Sequence, residues 1–123
     1  IGDFTFGFIN KPDDVPNIDS EVKFLNNYVN KPLYILSESS EAEFEVYRNL
    51  DQIVLRRQYA CLEGQNCTNP NFPIKTCQDN FIIIKKAEIA GINQTDNCVI
   101  INGKEENLTA ITDEFLFKIL NIK

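Results

Sequence analysis

Residues 81–84 read Phe-Ile-Ile-Ile, and residues 98–101 read Cys-Val-Ile-Ile. Neither run alternates. A strand with one face in water shows apolar and polar residues in turn, so these two runs suit strands covered on both faces. Leu33-Tyr34-Ile35-Leu36 has the same character. Strands buried on both sides go with parallel sheets flanked by helices. The expected fold class is therefore α/β: a small three-layer α/β/α domain with a mostly parallel four-stranded sheet.

Working outward, residues 3–9 place Phe4, Phe6 and Phe8 on one side and Thr5 and Gly7 on the other, a period of two that predicts a strand with one buried face. Residues 10–19 contain Pro12 and Pro16 and read as a loop. Ser20 is expected to cap a short helix over 21–29, with Val22, Leu25 and Val29 as its apolar stripe and Lys31-Pro32 as its stop. Ser40 followed by Glu43 forms a capping box that opens a long helix over 41–62. Val46, Tyr47, Leu50, Ile53, Val54, Ala60 and Cys61 would share one face of it, with Arg57 among them. Phe44, Leu55, Tyr59 and Leu62 would form a second stripe, either packed inside the domain or exposed as a partner surface. Gly64 ends this helix, Asn102-Gly103 is expected to turn the chain, and a last, nearly all-apolar helix covers 108–120. The order β-α-β-α-β-β-α runs through 1–123 as one domain, with no internal repeat.

Four cysteines stand at 61, 67, 77 and 98. The chain has no His and no tight Cys-x-x-Cys clip, so the set suits two disulfides better than zinc. If 33–36 runs parallel to 81–84, the helix between them returns the chain to the sheet's N-terminal edge, and Cys61, Cys67 and Cys77 collect there. Cys98 joins them only if 98–101 is also parallel to 81–84, with 86–97 as an unusually short crossover. A hairpin is the commoner use of so short a connection, but it would carry Cys98 to the far edge, beyond the roughly 7 Å that a disulfide spans between Cα atoms. We expect Cys77–Cys98, with Cys61–Cys67 closing a small loop.

Asn66-Cys67-Thr68, Asn93-Gln94-Thr95 and Asn107-Leu108-Thr109 match the glycan acceptor pattern. Cysteines and sequons together point to an oxidising compartment, extracellular or at the cell surface. The chain begins at Ile1 and has no Met, so we expect a mature or excised piece: a trimmed chain, one that has lost a signal peptide, or the ectodomain of a longer protein anchored upstream.

Net charge is −6 with a pI near 4.6, which repels a phosphate backbone, so no nucleic-acid partner is expected. No apolar run is long enough for direct membrane insertion. The loops after the expected strands carry acids where a phosphate site would need Gly: Ser37-Glu38-Ser39-Ser40-Glu41 and Asn102-Gly103-Lys104-Glu105-Glu106. Asp13, Asp14 and Asp19 lack the spacing of a calcium loop. No cofactor, metal site or catalytic residue is therefore assigned. Arg57 could hold a ligand's acid group or lay its stem on the core and reach outward. The reading that follows is a non-enzymatic, disulfide-bonded, glycosylated binding or assembly module with a protein or glycan partner. The rival is a small secreted, glycosidase-like hydrolase, which needs only two carboxylates across a cleft.

Overall fold

The computed structural model describes residues 5–122. Its strands are β1 (Pro32–Ser37), β2 (Arg56–Tyr59), β3 (Cys61–Leu62), β4 (Ile74–Lys75), β5 (Phe81–Lys86), β6 (Gly91–Thr95) and β7 (Cys98–Gly103); its helices are α1 (Ser40–Leu50) and α2 (Glu105–Ile119). The main sheet has five strands rather than four, in the order β2-β1-β5-β7-β6, and β3 pairs with β4 as a separate two-stranded ribbon. All main-sheet pairs are parallel except β6 with β7.

The three doubly apolar runs are the sheet's centre. Leu33, Ile35, Ile82, Ile84, Val99 and Ile101 face α1 and α2, against Val46, Leu50, Leu108, Ile111 and Phe115. Tyr34, Phe81, Ile83 and Cys98 face the other way, with Ala60, Leu62 and Cys77 over them. The expected three layers are thus corrected: both helices lie on one face, and segment 60–80 covers the other. Connection direction accounts for this. From β1 the chain moves through α1 to β2 on one side, then returns past β1 to β5. Right-handed crossovers in opposite directions fall on opposite faces. The return here is a stapled loop instead of a helix.

The parallel β5–β7 pair needs no helix either, because residues between them form β6, which runs back along the outer side of β7. Segment 91–97, part of the expected short crossover, is thus an edge strand and a tight hairpin. With β5 and β7 parallel, Phe81 pairs with Cys98 and Cys77 lies beside it. The disulfides are Cys77–Cys98 and Cys61–Cys67, with Cα atoms 4.8 and 5.6 Å apart.

The expected helix over 41–62 stops at Leu50, and its second half is the loop to β2 and β2 itself. Length explains the stop. A six-residue strand spans about 20 Å and an eleven-residue helix about 16 Å, so they match as out and return; twenty-two helical residues would run about 33 Å and overshoot the sheet. Ser39, not Ser40, is the N-cap, its side chain accepting from the Ala42 N–H at 3.2 Å. The helix expected over 21–29 is a single 3₁₀ turn at Leu25–Asn27. Its intended cap is taken, since the Ser20 hydroxyl accepts from Lys118 Nζ. Asn102-Gly103 does not turn the chain but completes β7, where Gly103 lets α2 approach. The last helix starts at Glu105, three residues earlier than expected.

Of the strand expected over 3–9, residues 3 and 4 lie outside the described residues. Residues 5–9 are extended but join no sheet. They run along α1, as described next.

Candidate functional site

Polar chemistry gathers in three places. The first is the C-terminal edge of the parallel strands, where β1 sends the chain one way and β5 the other. Ligands of open α/β sheets sit at such points. Here the chain's own acids occupy it. Glu38 Oε1 accepts from the Lys86 N–H at 2.8 Å, Glu41 Oε1 accepts from the Thr109 hydroxyl at 2.6 Å, and Glu105 pairs with Lys86 at 3.4 Å. Acids at the first turns of α1 and α2 leave this edge unsuited to an anion.

The second is a group of buried acids under the N-terminal segment. Glu45, Asp113 and Glu114 have no exposed surface, and neither does Asn49. Residues 5–18 cross over them as a strap held mainly through its backbone. The Thr5 and Gly7 N–H groups donate to Gln52 Oε1 and Asn49 Oδ1, and the Gln52 and Asn49 amides donate back to the Thr5 and Gly7 carbonyls. The Ile9 N–H donates to Glu45 Oε1, the Asn10 N–H to Asp113 Oδ2, and the Ile18 N–H to Glu114 Oε2, at 2.8, 3.1 and 2.8 Å. Side chains at 45, 49 and 52 thus act as the edge of a strand. Two strap residues advance about 6.7 Å and three to four helical residues about 5–6 Å, so the two ladders stay in step. Phe8 locks the strap by packing edge-on against Phe117, ring centres 4.5 Å apart.

Within this group Asp113 and Glu45 meet. Burial pushes the Asp113 carboxyl up to about 7, and the Glu45 carboxyl beside it adds to the rise. Arg48 Nε lies 2.8 Å from Glu45 Oε2, an ion-pair contact without hydrogen-bond alignment. These two buried carboxyls could be read as a catalytic pair, yet the strap lies across them, with the Ile9 and Asn10 N–H groups bonded to their oxygens. A sign of these acids was present in the sequence. Asp113-Glu114 sits within the nearly all-apolar last helix, and Glu45 sits beside Ala42, Val46 and Asn49 on the buried face of α1.

The third is the outer side of β2. All four of its residues are exposed, and among the described residues it pairs only with β1, which leaves its other edge without a strand partner there. Arg57 and Tyr59 lie on the α1 side, paired in register with Leu33 and Ile35. The Arg57 guanidinium sits over the Tyr47 ring at 3.6 Å and pairs with Asp51 at 2.8 Å, on the exposed side of the strand. The Tyr59 hydroxyl donates to Glu43, and its ring stacks on Phe72 at 5.3 Å. Phe44 and Leu55 are 56% and 61% exposed. Of the four residues assigned to one helical stripe, Phe44 lies on α1, Leu55 precedes β2, Tyr59 ends β2, and Leu62 is half-buried on the opposite face of the sheet. The stripe does not exist as such. Phe44, Leu55 and Tyr59 are nevertheless all on the surface.

Asn66, Asn93 and Asn107 are all exposed: Asn66 within the loop closed by Cys61–Cys67, Asn93 on β6, and Asn107 in the first turn of α2. Among the described residues no group of three or more His, Cys, Asp or Glu side chains could hold a metal, and no helix is long and apolar enough to cross a membrane. No protein-family model, curated protein or solved structure matches the chain.

Proposed function

We propose that this protein is a non-catalytic, glycosylated binding or assembly module of a secreted or cell-surface protein, and that it meets a protein partner along β2. The observation that carries the reading is the open edge of β2, with all four side chains exposed and Leu55 and Phe44 bare beside it. An unpaired edge is a template for another strand, and a chain that leaves one exposed normally covers or uses it. The sheet's other edge, β6, carries the Asn93 sequon, so a glycan there would leave β2 as the edge free to pair. Two disulfides support an oxidising setting. The rival reading, a two-carboxylate hydrolase, is weakened by the strap over Glu45 and Asp113.

Photo-crosslinking in the native source tests the reading. A photoreactive residue replacing Leu55 should capture a defined protein neighbour, and one replacing Glu88 should not. Equal capture at both positions, or none at Leu55, would overturn it.

A further inference from the structure

We propose that residues 5–18 form a pH-gated strap, docked across α1 and α2 while the Asp113 carboxyl holds a proton and loosened once it is ionised in its buried site. The geometry supports this from three sides. Both acids are fully buried, and Asp113 Oδ1 has no hydrogen-bond partner among the described residues, so a proton there leaves the carboxyl neutral in a dry site. Their other oxygens, Asp113 Oδ2 and Glu45 Oε1, accept from the Asn10 and Ile9 N–H groups, so the strap rests directly on the pair. The strap is also what keeps water from it. Two full charges in a dry site are relieved by hydration, and lifting the strap admits water.

The surrounding charges offer Asp113 no cation of its own. From α1, Arg48 pairs with Glu45 rather than with Asp113. From α2, Glu114 is turned to the Ile18 N–H, and Lys118 is directed to Ile18 O and Ser20 Oγ. From the strap, Asn10 donates twice to Asp113, while Lys11, Asp13 and Asp14 are exposed. No second cation therefore reaches the pair among the described residues. The rise of the Asp113 carboxyl to about 7 puts the transition near neutrality.

Amide exchange, corrected for intrinsic rates, tests the proposal. Protection at Gly7, Ile9 and Asn10 should fall roughly tenfold or more between about pH 6 and about pH 8.5 while that of Ile83 holds. Asp113→Asn should abolish the change, because its amide can donate to Glu45 at every pH and its carbonyl still accepts from Asn10. Flat protection in the unaltered protein, or a parallel fall at Ile83, overturns the strap. Should the variant not fold, carbon-detected titration of the native Asp113 carboxyl decides: a midpoint near 7 supports the proposal and one below about 5 overturns it.

Discussion

Gly103 lies against Ile111 so closely that a Cβ at position 103 would overlap Ile111 Cδ1, with Leu108 Cδ2 at 3.7 Å on the other side. Ile111 is fully buried, so its tip has little room to turn aside. Gly103→Ala should therefore cost about 1–3 kcal/mol by overpacking. Ile111→Val, which removes the clashing methyl, should cost about 0.5–1.5 kcal/mol alone. Urea unfolding of both single variants and the double variant checks the relationship. The double variant should be more stable than the sum predicts, and simple additivity would show that the two positions do not collide.

The staple at the sheet's N-terminal edge gives a second expectation. Cys77→Ala with Cys98→Ala frees the start of β7 from the chain before β5, and a loss of about 2–5 kcal/mol should follow. Mass analysis of the folded, unreduced protein should find no free thiol. Four titratable thiols would remove both the staple and the main argument for an oxidising setting.

Glycosylation is the third. Passage through a secretory pathway should place a glycan on at least one of Asn66, Asn93 and Asn107, with Asn93 first because its side chain projects from an exposed edge strand. Asn66 should be the poorest acceptor, since Cys67 sits inside its sequon and is bonded to Cys61. Enzymatic deglycosylation should lower the mass, and Asn93→Gln should lower it by one glycan. An unchanged mass would refute the expectation.

Global stability should carry an unusual pH slope. The Asp113 carboxyl is raised from 3.8 to about 7 on folding. Between these limits the folded chain binds a proton that the unfolded chain has released, so stability falls as pH rises. Its contribution is complete below about pH 4, declines to about pH 7 and is then flat, with a total on the order of 4 kcal/mol at most. Urea melts at about pH 4.5, 6 and 8 check this, and Asp113→Asn should flatten the slope. A rise in stability across that window would contradict the buried pair.

The central strands were legible because β1, β5 and β7 are apolar on both faces, which leaves few alternatives. The cysteines then demanded that β7 run parallel to β5, against the preference for a hairpin. Helix α1 was overextended because 53, 54, 57, 60 and 61 fall at helical spacing by coincidence. A strand that places Arg57 and Tyr59 on one side and Arg56 and Gln58 on the other accounts for Arg57 without burying it. The alternation of Phe6 and Phe8 with Thr5 and Gly7 predicted a strand and residues 5–9 form none, because nothing in that pattern says that the partner is the side-chain amides of a helix and not a sheet. The buried acids were missed for a related reason. Acids are abundant in this chain, and the one sequence sign, Asp113-Glu114 inside a nearly all-apolar helix, does not name the strap that buries them.

The run from Cys77 to Gly103 closes on itself: it holds one disulfide, one hairpin and the β5–β7 pair within a short span. By contrast, β1 meets the edge strand β2 only 24 positions later and its inner neighbour β5 only 47 positions later, since Pro32 pairs with Arg56 and Tyr34 with Phe81. Loop-closure entropy delays such distant pairings. As the chain emerges from synthesis, β1, α1 and β2 therefore precede the strand that anchors them, and α2, which seals the core, follows every strand of the sheet. We expect the 77–103 unit to act as the folding nucleus. Substitutions such as Ile83→Val and Val99→Ala should slow folding, whereas Leu33→Ala and Val46→Ala should mainly speed unfolding, in a stopped-flow comparison. The opposite division would place the nucleus around β1.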